Sequence, residues 1–387
     1  MLSPFKYNSK CFVKFRYNCI LFYLFAFVNI LFDRFLRKFP VDFFRYVFYT
    51  LIYKGNNMAT IKDIAKKLNI STGTVSKGLN GARDISEALR HQILDTAAEM
   101  GYTKRGAAKP ENRKLCIFIE NMDYYLEDDF GYDIILGFKQ AAFNENWAVE
   151  VIPVSHLVQE RHTYDRFMIS QGFSGALILG FAYDDPWMTF FGGTHIPTVL
   201  FDHHLTGNPM VGFVGSDSDE GIELAVSHLV SQGHKRIAFL SGDESSMISE
   251  FRLSAFKRSM KTHGFSLLPE LYASSSYSAG ADPDTVLSLI NNGATAIMCG
   301  SDIIAYSVIR ACNALNISIP DDISLVGYDD LPASAATNPA LTTIRQDRLM
   351  IGKSGYYTLY SIIQGVSLSR NLIRPTLVER NSTSPPK

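Results

Sequence analysis

From residue 115 to about residue 330, short runs of aliphatic and β-branched residues alternate with longer stretches whose apolar positions recur every three or four residues. LCIFIE (115–120) precedes the helical stretch GYDIILGFKQAAFNEN. AVEVIPV precedes a helix around Tyr164 to Gln171, GALILG precedes a helix near Pro186, and PTVLFD reads as a further strand. A second series runs GFVGSD, the helix EGIELAVSHLVSQG, the strand RIAFLSG, the helix FRLSAFKRSMKTHG, the strand TAIMCGSD, the helix IIAYSVIRACNALN and the strand ISLVGYDD. Alternation of this kind leaves few options, because a strand–helix–strand unit crosses over right-handedly and lays its strands parallel. The expected fold is α/β, with two lobes of parallel sheet flanked by helices.

Open α/β sheets bind ligands outside the carboxyl ends of their strands. Polar residues stand there: Asp202 after PTVLF, Ser241 and Gly242 after RIAFL, Asp302 after TAIMCGS, and Asp329 with Asp330 after ISLVGY. Carboxylates at such ends either accept bonds from sugar hydroxyls or cap the next helix, and spacing alone leaves both open.

The near-neutral total of −1 conceals a gradient: +7 for residues 1–57, +5 for 58–114 and −13 for 115–387. A basic block ahead of an acidic body suggests a polyanion-binding unit joined to a domain that binds something else. Five scattered cysteines with no CxxC pair suit a reducing compartment, and no metal or cofactor is expected.

Residues 1–57 stand apart, with 18 Phe or Tyr and an apolar run, CILFYLFAFVNILF, of 14 residues. That is shorter than the roughly 20 residues that span a bilayer, and no small-x-small cleavage site follows. A short anchor, an uncleaved signal and translated upstream DNA all remain as readings. The abundance of residues with A/T-rich codons, and the change of composition at Met58, favour a start at Met58.

From Thr60 the pattern turns helical. Ile61, Ile64, Ala65 and Leu68 form one apolar face with Lys62, Lys66 and Lys67 outward, and Thr60 with Asp63 approximates a capping box. Ser71 caps a second short helix, TGTVSKGLN, with Val75 and Leu79 inward. After NGARDI, Ser86 caps a third, EALRHQILDTAAEMG, with Leu89, Ile93, Leu94, Ala97 and Met100 inward and Gly101 as its stop. Two short helices, a tight turn and a longer support match either a small bundle or the arrangement that lays a helix in the DNA major groove.

TIKDIAKKLNISTGTVSKGLN, followed by ISEALRHQILDTAAEMGY, resembles the N-terminal domain of the lactose/galactose repressor (LacI/GalR) family of bacterial transcription regulators. HLVSQGHKRIAFLSG, FRLSAF, DDISLVGYDDLPASAATNPALTTIRQD and IGKSG resemble that family's effector-binding core, itself similar to periplasmic sugar-binding proteins. The resemblance implies an extension (1–57), a helix-turn-helix domain (58–103), a basic linker (104–114), a two-lobed effector-binding and dimerisation core (115–380) and a tail (381–387). It implies groove contacts from Ser71, Thr72, Gly73 and Lys77, with Thr60, Thr74, Ser76, Asn80 and Ser86 near phosphates or base edges. Lys77 stands where the family usually has Arg, and Gly73 offers no side chain to read a base. In the core it implies that Arg252 clamps the effector, that Asp302 is the strand-end acid, and that Phe130, Asp202, Gln346 and Arg348 line the cleft, with Tyr277 or Phe181 as a stacking face. An Arg among carboxylates beside an aromatic suits a polyol, and equally an anionic sugar or a purine.

The linker, TKRGAAKPENRK, departs from the family, which normally has a helix here with a Leu that wedges into the minor groove. There is no Leu, and Gly106 and Pro110 oppose helix. Lys104 and Arg105 suit phosphate contacts instead. The expected protein is a cytoplasmic homodimeric regulator, a repressor by default, that binds a near-palindromic double-stranded operator under control of a small effector, a sugar or sugar derivative. The alternative is a periplasmic or membrane-tethered sugar-binding protein, for which a helix-turn-helix has no use. Enzyme chemistry lacks support: there is no GxSxG, P-loop or HExxH, and His203, His204, His228 and His234 are dispersed.

Overall fold

A computed structural model describes residues 59–102, 113–266, 268–277 and 279–387. The extension, the proposed start at Met58 and the linker residues Lys104 and Arg105 lie outside the described residues.

The headpiece follows the capping chemistry. Thr60 accepts from the Asp63 amide while the Asp63 carboxylate accepts the Thr60 amide at 2.8 Å, closing a capping box on α1 (Ile61–Leu68), which stops at Asn69 in the left-handed region. Ser71 caps α2 (Thr72–Leu79) by accepting from the Thr74 amide at 3.0 Å, and Ser86 caps α3 (Glu87–Glu99) through the Leu89 amide. Ile64, Val75, Ile93 and Ala97 are fully buried between the three helices.

The core uses two six-stranded sheets. In chain order its elements are β1 (Lys114–Ile119), α4 (Phe130–Asn144), β2 (Ala148–Pro153), α5 (His156–Arg161), α6 (Tyr164–Gln171), β3 (Ala176–Leu179), β4 (Thr198–Phe201), β5 (Val211–Ser216), α7 (Ser218–Ser231) and β6 (Ile237–Ser241). Then follow α8 (Met247–Thr262), β7 (Tyr272–Ser274), α9 (Pro283–Asn291), β8 (Ala296–Cys299), α10 (Asp302–Leu315), β9 (Ser324–Asp329), β10 (Thr342–Arg345), α11 (Arg348–Ile363), β11 (Arg370–Ile373) and β12 (Thr376–Val378). The first sheet has the order β11-β5-β4-β3-β1-β2, parallel throughout, and the second β12-β10-β9-β8-β6-β7, parallel but for β12.

Three points differ from the sequence reading. The strand in GFVGSD, read as opening the second series, is β5 and pairs with β4 in the first sheet. The chain also returns to lobe 1 through α11 and β11 before ending in lobe 2 with β12, so each lobe is discontinuous. The helix near Pro186 is one 3₁₀ turn, Pro186–Thr189. Pro suits its first position, but the segment ends within four residues and seats Trp187 in the core instead of extending.

Two glycines let α4 and α11 touch backbone to backbone. A Cβ on Gly137 would lie 2.1 Å from the Leu349 carbonyl oxygen, and one on Gly352 only 2.0 Å from that of Ile134. Gly352→Ala should therefore cost about 1–3 kcal/mol through overpacking. Gly192→Ala, where a Cβ meets nothing within 4 Å, should stay within about 0.5 kcal/mol of wild type. Denaturant midpoints of the two variants check this; equal midpoints would mean that the helices are not held at that spacing.

Candidate DNA interface and ligand cleft

On α2 and its C-terminal cap, Thr72, Gly73, Ser76, Lys77 and Asn80 share one stripe, and all but the half-buried Ser76 are exposed. The Ser71, Thr60 and Ser86 oxygens already serve as caps, and the Thr60 hydroxyl in turn donates to the Asp63 carboxylate at 2.7 Å. Ser71 also shares a hydrogen bond with Thr74 Oγ1 at 2.8 Å, and Asn80 Nδ2 donates to the Ser76 carbonyl at 2.8 Å. Lys77 is ion-paired with Asp84, a partner that sequence reading did not single out. The pair is exposed on both sides, so solvent screens it and little opposes releasing Lys77 to a base edge. At Gly73 a Cβ would meet only Ser71 Oγ at 3.6 Å, so the position has room for a side chain it does not carry.

The second site lies where the strands of both sheets end. Arg252, on α8 and 3% exposed, donates from Nη1 to the Gly300 carbonyl at 2.5 Å, places Nη2 3.5 Å from Asp329 Oδ1, and stacks its guanidinium 3.9 Å above the Tyr328 ring. Asp329 ends β9 at φ 122°, a strained conformation for a residue with a Cβ, and takes a 2.7 Å bond from Gln346 Nε2. Asp202 ends β4 in the left-handed region at φ 57°. Arg348, at the start of α11, pairs with Asp133 at 3.1 Å and lies 5.8 Å over the Phe130 ring, which in turn packs on Phe201. The backbone contact of α4 with α11 holds this Arg348–Asp133–Phe130 group in place. Tyr277 lies on Gly242, where a Cβ would fall 2.3 Å from its ring, and shares a 3.2 Å hydrogen bond with Ser249.

Asp302 does not fill the role expected of it. It is wholly buried, and its oxygens accept from the Leu331 amide at 2.8 Å, Ser334 Oγ at 2.6 Å and Thr343 Oγ1 at 2.5 Å, so it ties down the β9–β10 connection. Asp329, one strand over, is the acid beside Arg252. Asp330 is consumed by Arg345 and Arg380, at 2.6 and 2.7 Å. Phe181 packs on Trp187 in the lobe 1 core, leaving Tyr277 as the aromatic at the cleft. Asp133, Tyr328 and Ser249 were not singled out from sequence; only Asp329, at the end of an apolar strand, carried a legible signal.

Buried atoms of the cleft with no hydrogen-bond partner among the described residues include Asp202 Oδ1, Arg252 Nε, Gln346 Oε1 and Arg348 Nη1. At the mouth the lobes touch, with Tyr183 OH donating to Glu250 at 3.2 Å and the His204 amide donating to Met247 Sδ at 3.0 Å. Burial pushes the Asp202 carboxyl up to about 7 against the pull of Arg252, and burial together with Asp329 raises Asp302 to about 7.

Comparison with known proteins agrees with this fold. The description "Bacterial regulatory proteins, lacI family" matches residues 60–104, and "Periplasmic binding protein-like domain" matches 226–383. The HTH-type transcriptional repressor CytR of Escherichia coli (strain K12) is 26% identical over 340 residues, covering 85% of this chain and 98% of that protein. The HTH-type transcriptional repressor PurR of Aliivibrio fischeri (strain ATCC 700601 / ES114) is 26% identical over 334 residues, covering 84% and 99%. Among solved structures, a transcriptional regulator CelR–cellobiose complex aligns with a TM-score of 0.61 at 22% identity, covering 84% of this chain and 99% of that one. The lac repressor dimer bound to operator and an anti-inducer aligns with a TM-score of 0.59 at 24% identity over the same shares.

The raised acids make a pH prediction. Between about pH 4 and pH 7 the native protein holds protons on Asp202 and Asp302 that the unfolded chain has released, so their contribution to stability is complete below that window and is lost as pH rises through it. Asp202→Asn removes one such titration. Its melting temperature relative to wild type should rise steadily across the window, and a pH-independent difference would contradict the burial of that carboxyl. With a headpiece built on three capped helices and two interleaved parallel-sheet lobes after it, the chain joins a helix-turn-helix domain of the lacI family of bacterial regulatory proteins to a periplasmic binding protein-like domain.

Proposed function

We propose that the protein is a sequence-specific DNA-binding transcription regulator, a repressor like its relatives, that acts as a cytoplasmic homodimer on a near-palindromic operator and is controlled by a neutral, polyhydroxylated small molecule. The observation that carries this reading is one chain holding both an exposed recognition stripe on α2 and a cleft with unpartnered buried donors and acceptors. The periplasmic alternative leaves the headpiece without a purpose.

Charge balance supports a neutral effector. Arg252 is offset by Asp329 and Arg348 by Asp133, so neither guanidinium is spare for a phosphate or carboxylate. Two donors, Arg252 Nε and Arg348 Nη1, and two acceptors, Asp202 Oδ1 and Gln346 Oε1, suit ligand hydroxyls, which give and accept alike. Phe130 and Tyr277 add apolar faces for a sugar ring or a base. Sugars and nucleosides both meet these terms.

A single headpiece makes few phosphate contacts, so two on one dimer should read half-sites about one helical turn apart. Footprinting on genomic fragments selected by the purified protein should show a near-palindrome. Lys77→Ala should lose roughly 1–3 kcal/mol of discrimination at one base pair per half-site. Gly73→Gln should fold normally and change base preference at a neighbouring position. Binding with no sequence preference would overturn the regulator reading.

A further inference from the structure

The third headpiece helix lies against lobe 1 of its own chain. Arg166 on α6 pairs with Asp95 on α3 at 3.1 Å, the arginine being the more buried partner. Ile169, one turn further along α6, packs into both the headpiece cluster and the lobe 1 cluster. Gly101, in the left-handed region after α3, approaches the His195 ring so closely that a Cβ would fall 2.7 Å from it. The His195 loop is itself pinned to α6, because Asp165 accepts the His195 amide at 3.3 Å and the Thr194 hydroxyl. Arg166, Ile169 and His195 thus form one patch that receives the end of α3, while Thr72, Gly73, Lys77 and Asn80 on α2 stay exposed. The patch is joined to the cleft through packed structure: Tyr164 of α6 shares a 2.7 Å hydrogen bond with Thr198, which opens β4, and β4 leads directly into Asp202.

We propose that the docking of α3 on α6 holds the headpiece with its recognition stripe outward, and that this contact carries the state of lobe 1 to the DNA. The proposal rests on the DNA-binding reading above and adds the route of its regulation. Disrupting the contact frees the headpiece to reorient, and operator binding then bears the entropy of ordering it.

The test uses the full chain carrying a fluorophore at Lys62→Cys, on the exposed side of α1. Time-resolved anisotropy without DNA should show the wild-type headpiece tumbling with the core. Arg166→Glu, and separately Ile169→Ala, should add a fast component and weaken binding to the DNA selected by the wild-type protein by about five-fold or more. The charge swap Asp95→Arg with Arg166→Glu should restore both readouts, which a variant that had merely misfolded would not do. A fast component already present in wild type, anisotropy that ignores every substitution, or DNA binding unchanged or strengthened once the contact is lost would each overturn the proposal. Absence of any selected DNA sequence would instead refute the regulator reading, while anisotropy still reports on docking.

Discussion

The lobe 2 side of the cleft is organised around a buried cation, Arg252. Arg252 sits among strand ends from both sheets, and an unpaired guanidinium there would cost several kcal/mol. Its partners are therefore built in: Asp329 opposite, the Gly300 carbonyl beside it and the Tyr328 ring beneath. Each partner imposes something further. Asp329 adopts a strained backbone and is steadied by Gln346 from the connection between β10 and α11, one of the three passages of the chain between lobes. A charge in lobe 2 is thereby tied to the segment that leads back into lobe 1.

The arrangement is also incomplete in a way that suits ligand control. Asp202 of lobe 1 and Arg252 of lobe 2 each keep a buried atom unpartnered among the described residues, and both face the same cleft. A molecule satisfying both sides favours whichever lobe arrangement brings them together, and it shifts the population by its differential affinity alone. Tyr183 and His204 already touch lobe 2, and α6 is bonded to the start of β4 through Tyr164 and Thr198.

Much of this architecture could be read from residues alone, for local reasons. Helix starts at Thr60, Ser71 and Ser86 follow from capping chemistry, which acts within four residues, and the β/α alternation fixes parallel sheets. Which sheet a strand joins is not local. GFVGSD has the same composition in either lobe, and its pairing with β4 depends on a sheet edge assembled from elsewhere; the return of α11 and β11 to lobe 1 brings Gly137 against the Leu349 carbonyl and Gly352 against that of Ile134, contacts made across the fold. The same limit explains the choice of acid. Asp302 and Asp329 both follow apolar strands, but Ser334 and Thr343, more than thirty residues downstream, enclose the first and leave the second to Arg252. Lys77 and Asp84 pair across the α2–α3 turn, where periodicity says nothing.

The central claim is that a neutral hydroxyl-rich molecule occupies the cleft and engages Arg252. A thermal-shift screen of the full-length protein against neutral sugars, nucleosides and their phosphorylated counterparts tests it most directly. A neutral member should raise the melting temperature of wild type, its phosphorylated form should not, and Arg252→Ala should abolish the shift. Stabilisation by the phosphorylated form alone, or a shift that survives Arg252→Ala, would contradict it.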